Sequence, residues 1–136
     1  MSDPAEKRRV ILDTNVLVSA LLTPSGNPSR ILQAVIDGEI VLVHSAAIMA
    51  EYRSVLARPR FGFDPLDVMD VLEFFESFGD AVHTDVSETS LPDESDRPSY
   101  DASLVSQAIL VTGNIKHFPG LEHVVSPAEY VRDHLS

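Results

Sequence analysis

The chain has 136 residues and no cysteine, so disulfides, thiolate metal sites, iron–sulfur clusters and cysteine nucleophiles are excluded. The length suits one domain spanning 1–136, with an ordered core expected over about 8–133, and 44% hydrophobic with 23% charged residues reads as globular. The net charge of −11 is uneven: residues 1–60 carry seven basic and six acidic side chains, residues 61–136 three basic and fifteen acidic. That balance disfavours a nonspecific nucleic-acid coat while leaving a local phosphate-binding face open to Lys7, Arg8, Arg9, Arg53, Arg58 and Arg60.

Arg9-Val-Ile-Leu-Asp13 reads as a buried strand ending in a carboxylate. Val16 to Leu22 continues apolar until the loop Thr23-Pro-Ser-Gly-Asn-Pro28. Ile31, Leu32, Val35 and Ile36 predict a helix from Ser29 to Asp37, stopped by Gly38, and Ile40 to His44 is a second strand. Ser45 is placed to cap a helix running to about Ala57 with the stripe Ile48, Met49, Tyr52, Val55 and Leu56. Asp64-Pro65 caps a further helix to about Phe78, whose acids Asp67, Asp70, Glu73 and Glu76 form a solvated face.

Ala81 to His83 is a short strand, and Ser87 to Pro98 a long polar loop of the kind that carries function or disorder. Tyr100, Leu104, Val105 and Ala108 predict a helix, followed by the strand Ile109 to Val111. Val124-Val125 is a last weak strand, and Ser126-Pro127 opens a terminal helix. Alternating strands and helices give an α/β fold with a parallel sheet. No apolar stretch reaches the ~20 residues that span a bilayer, and the run after the basic opening is too short for a signal-peptide core. A cytoplasmic protein without a membrane segment is expected.

Ligands of open parallel sheets bind beyond the carboxyl ends of the strands. Asp13-Thr14-Asn15 follows the first strand and Thr112-Gly113-Asn114 follows the third strong one. Asp93, Glu94 and Asp96 lie in the long loop. Glu51 falls about 100° from the centre of its helix's apolar stripe, with no basic residue three or four places away to pair with it. Oxygen ligands converging on one rim would suit Mg²⁺ or Mn²⁺.

Val-Ile-Leu-Asp13-Thr-Asn-Val-Leu-Val-Ser, the Glu51 helix, the Asp96-Arg-Pro loop and Leu-Val-Thr-Gly-Asn114-x-Lys-His-Phe-Pro119 together resemble a PIN-domain protein, in the toxin-component group related to VapC toxins. The resemblance covers nearly the whole chain and rests on the order and spacing of these motifs. It implies a three-layer α/β/α sandwich around a mainly parallel sheet and a metal-dependent endoribonuclease acting on single-stranded RNA. Asp13 matches the first-strand acid, Glu51 the helix acid, Asp96 the acid opening the later helix, and Asn114 the last position, where Asp is frequent. The amide at 114 offers an oxygen without charge, which puts a second metal in doubt.

On this reading Asp13, Glu51 and Asp96 hold the ion and Asn114 assists. Thr14, Asn15, Thr112 and Asp93 support them, and Arg53, Arg58, Arg60 and Lys116 receive RNA phosphates. A homodimer and an antitoxin protein are the partners the resemblance implies. The blander alternatives are that Asp13 merely caps the segment after it, that Glu51 is an ordinary solvated residue, and that Asp101 takes the place of Asp96. His44, His83 and His117 fall singly in separate segments and read as structural or surface residues. Two rival functions remain: a PIN-fold scaffold that binds without cleaving, favoured by Asn114, and a phosphotransferase of the haloacid dehalogenase type. The latter expects a second Asp at position 15, where Asn15 stands.

Overall fold

The computed structural model describes residues 8–135. Lys7, one of the basic residues considered for phosphate binding, lies outside them. The first apolar run forms β1 (Arg9–Leu12), which ends one residue short of Asp13. The second apolar run turns out to be a helix, α1 (Thr14–Leu22), followed by α2 (Asn27–Ile36). Strand β2 (Val41–His44) leads into α3 (Ala46–Leu56), where the Ser45 side chain accepts the Ile48 N–H as the cap that its type and place predict. Asp64 likewise accepts the Leu66 N–H to open α4 (Pro65–Phe78), which leads into β3 (Asp80–Ala81), one residue earlier than expected.

The long loop is shorter than the sequence suggests. Glu94–Asp96 form a 3-10 turn, and Pro98, expected in the loop, sits in the first turn of α5 (Arg97–Ser106). The buried face of α5 is Ser99, Tyr100, Asp101, Ala102 and Ser103, whereas Leu104 and Val105 are exposed. Of the expected stripe, Tyr100 and Ala108 are buried, while Leu104 and Val105 face outward. Small side chains let the helix lie close across β1, β2 and β4 (Ile109–Val111), and Gln107 ends it in the left-handed region at φ 58°. Strand β5 (Val124–Val125) precedes α6 (Pro127–Tyr130), capped by a reciprocal Ser126–Glu129 box and continued by a π-helical turn, Val131–Leu135.

The five strands are all parallel, in the order β3-β2-β1-β4-β5, between helices in an α/β/α sandwich. Val10, Ile11 and Leu12 of the central strand are fully buried, as an all-parallel sheet covered on both faces requires. Chain order reverses between β1 and β4, so their carboxyl ends flank the point where such sheets bind ligands. Among the described residues no helix is long and apolar enough to cross a membrane.

Candidate metal centre

Asp13 leaves β1 at that switch point. Its backbone N–H donates to the Val111 carbonyl at 3.0 Å, carrying the sheet ladder one residue past the strand. Although it stands where α1 begins, its carboxylate makes no capping bond to that helix. It accepts instead the Thr112 hydroxyl at 2.8 Å, across the switch point. The Thr112 N–H is held by Val125 on the far side and its Oγ1 accepts the Asn114 N–H at 3.0 Å. The cap alternative for Asp13 therefore lacks the side-chain bond that defines a cap, and Thr112 orients the acid.

Asp96 enters from the 3-10 turn before α5. Both acids are buried, at 4% and 7% exposure, and no lysine or arginine is bonded to either among the described residues. Burial pushes the Asp13 carboxyl above its ordinary range, partly offset by the Thr112 hydroxyl. Burial, and then the charge of Asp13, push Asp96 up in the same way. Two carboxylates thus share one desolvated place and repel each other, a cost that a divalent cation would remove.

Both line a polar cavity of about 210 Å³ together with Thr14, Asn15, Glu51, Val55, Arg58 and Ser95. Glu51 and Val55, one helical turn apart, put one side of α3 against this space. Tyr52, next in sequence and fully buried, donates its hydroxyl to the Leu12 carbonyl at 2.5 Å. That bond ties α3 to the last residue of β1 and so sets Glu51 relative to Asp13. Nothing in the sequence marked Tyr52 as more than core.

Two further side chains lie beside Asp96. Asp93 holds the Ser95 N–H and hydroxyl on one oxygen, at 2.9 and 2.8 Å. His117 places Nδ1 2.9 Å from Asp96 Oδ2. Asp93, Asp96 and His117 each offer a donor atom, and the three lie within 4.8 Å of one another. The sequence placed His117 alone, as a structural or surface residue; the fold sets it beside Asp96. It sits on the 3-10 turn Ile115–His117 after β4, and only the sheet order brings that turn to the acidic loop. The His in Asn114-x-Lys-His-Phe was the one available signal.

Other expected residues lie apart. Asn114 is exposed and borders a separate groove with Lys116 and His117, and it does not line the cavity of Asp13 and Glu51. Asp101 lies on the buried face of α5, where it accepts the Ser87 N–H at 3.3 Å and stands 4.0 Å from Arg97, and it does not line the cavity that Asp96 lines. Of the arginines, Arg58 borders the cavity; Arg53 is paired with Glu76 at 3.0 Å, and Arg60 lies over the Phe61 ring at 4.8 Å. Arg9 is taken by Asp80 and the Ser106 carbonyl. Arg97, which the sequence reading passed over, bonds Glu94, Ser87 and the Thr89 carbonyl, and so clamps the segment leading to Asp93 and Asp96.

A family model described as PIN domain matches residues 9–116. The uncharacterized protein MJ1680 of Methanocaldococcus jannaschii is 28% identical over 111 residues, which cover 79% of this chain and 72% of that protein. Among solved structures, VapBC2 from Rickettsia felis, bound to a DNA fragment from its promoter, is similar with a TM-score of 0.59 at 17% identity. The match covers 87% of this chain and 98% of the other, a likeness of fold.

Proposed function

This chain belongs to the PIN-domain family, and we propose that it is a metal-dependent endoribonuclease acting on single-stranded RNA, with Asp13, Glu51 and Asp96 holding Mg²⁺ or Mn²⁺. The observation that carries this reading is the pair of buried carboxylates, Asp13 and Asp96, converging on a polar cavity with no lysine or arginine bonded to them among the described residues. Such a donor set fits a hard divalent cation. When bound, the ion supplies an activated water and neutralises charge gathering on the phosphate. The protein's own part is positioning. Thr112 fixes the Asp13 carboxylate, Tyr52 fixes the helix of Glu51, and the 3-10 turn fixes Asp96. Arg58, at the cavity edge, receives a flanking phosphate, and Lys116 in the adjoining groove receives another.

A toxin role follows in the same reading. VapBC2 supplies its motivation, and an antitoxin protein and a second copy of this chain are the proposed partners. Sedimentation at micromolar concentration tests the homodimer, and a single monomeric species would remove it. The activity is tested by incubating single-stranded RNA and a small phosphomonoester with Mg²⁺, Mn²⁺ or chelator. RNA cleavage that chelator abolishes and Asp13→Asn lacks is expected. Turnover of the phosphomonoester alone would point to phosphotransfer, and no turnover of either would leave a binding scaffold.

A further inference from the structure

The three acids named above leave two donors beside Asp96 without a task. Asp93 keeps one oxygen engaged by Ser95 and has a second to offer. His117 holds Nδ1 2.9 Å from Asp96 Oδ2, and the donor atoms of Asp93, Asp96 and His117 fall within 4.8 Å of one another. We propose that His117 is a metal ligand, joining Asp93 and Asp96 in a mixed oxygen and nitrogen seat that selects a first-row transition ion over Mg²⁺. The proposal rests on the metal-dependent reading above for what the ion is used for; ion binding itself is measured separately.

Geometry and chemistry both favour ligation. Two donors with bonds of about 2.1 Å at right angles stand roughly 3.0 Å apart, close to the separation of the His117 nitrogen and the Asp96 oxygen. The third donor stands within 4.8 Å of the other two, so exposed Asp93 has to draw in, by at most about 1.8 Å, to reach the same roughly 3.0 Å spacing. The three donors come from two segments joined only by the fold. Asp93 and Asp96 are linked by the Asp96 N–H to Asp93 carbonyl bond at 3.1 Å, and His117 stands on its own turn beside buried Phe118. Ligation requires the neutral imidazole with its proton on Nε2, which frees the Nδ1 lone pair. Mg²⁺ prefers oxygen and retained water, whereas an imidazole suits Co²⁺, Ni²⁺ or Zn²⁺ and is accepted by Mn²⁺. A purely structural His117 would contribute no such preference.

The test uses the full chain, stripped with chelator and titrated with Co²⁺, Mn²⁺ and Mg²⁺ by calorimetry, with pulsed electron paramagnetic resonance on bound Mn²⁺. Nitrogen coupling to Mn²⁺ is expected in the wild type and absent in His117→Ala. Loss of a direct ligand should weaken Co²⁺ at least as much as loss of a supporting partner does, roughly 10–100-fold, while Mg²⁺ changes by less than about threefold. His117→Gln keeps a hydrogen-bonding group near Asp96 without the imidazole; it should resemble His117→Ala if the nitrogen ligates and the wild type if His117 only positions Asp96. His83→Ala, at an exposed site elsewhere, is the control. Wild-type Mn²⁺ without nitrogen coupling, or Co²⁺ affinity unchanged in His117→Ala, would overturn the proposal. RNA cleavage with Mg²⁺ in that situation would leave the nuclease reading standing. Nitrogen-coupled Mn²⁺ without RNA cleavage under any ion would do the reverse, and no divalent ion bound at all would remove both.

Discussion

Replacing Tyr52 by Phe removes one oxygen from the fully buried side chain that joins α3 to β1. The ring still fills its space beside Phe75, at 6.0 Å between centroids, so the change isolates the hydroxyl. Its loss forfeits a buried hydrogen bond and takes a donor from the Leu12 carbonyl, together about 1–3 kcal/mol. At about 4 °C per kcal/mol for a domain of this size, melting should fall by roughly 4–12 °C. Burial, and secondly the charge of Asp13, push the phenol well above its ordinary pKa, so it stays protonated and the loss should be constant from about pH 5 to pH 9. Calorimetry in chelator measures the stability. Steady-state cleavage measures whether Glu51 has shifted, since its position depends on the same helix. Tyr52→Phe melting within about 1 °C of wild type, with unchanged turnover, would refute the view that this bond sets the α3 register.

Asp13 and Asp96 have folded-state pKa values raised by burial, so the folded chain holds their protons more tightly than the unfolded chain does. Their stabilising contribution is complete below the ordinary carboxylate value and is lost as pH rises through the raised one. Without metal, Asp13→Asn should therefore be at least as stable as wild type at neutral pH. Its advantage should shrink on acidification, and its Mg²⁺ or Mn²⁺ thermal shift should largely vanish; melting against pH for both proteins checks this, and a variant melting well below wild type with its metal response intact would count against a metal centre. Arg58→Ala should lower the salt dependence of RNA binding by about one unit of slope, whereas Arg53→Ala, already paired with Glu76, should leave it unchanged in filter-binding titrations. Arg97→Ala frees Ser87 and Thr89 from their clamp and should make the 82–93 segment the first site of limited proteolysis, with cleavage of RNA falling in parallel.

What the sequence determined alone is whatever short-range physics decides. Ser45, Asp64-Pro65 and Ser126-Pro127 each mark a helix start because a cap acts on N–H groups two or three residues away. The runs at 9–12, 41–44 and 109–111 could be read as strands for a similarly local reason, and their alternation with helices gave the parallel α/β architecture. The same local rules misread α5, because its buried face is chosen by how closely a helix of small residues approaches the sheet, which hydrophobicity does not encode. Motif order pointed to Asp13, Glu51 and Asp96, which the fold sets around one cavity, but it grouped Asn114 with them and passed over His117. Only tertiary structure makes those distinctions. The bond from Thr112 to Asp13 spans 99 residues, and that between His117 and Asp96 spans 21. Both exist because β4 pairs with β1 and carries the segment after it to the rim where the acids meet. Burial then raises the pKa of Asp13 and Asp96 through desolvation, a property of the assembled site that neither residue possesses in the extended chain.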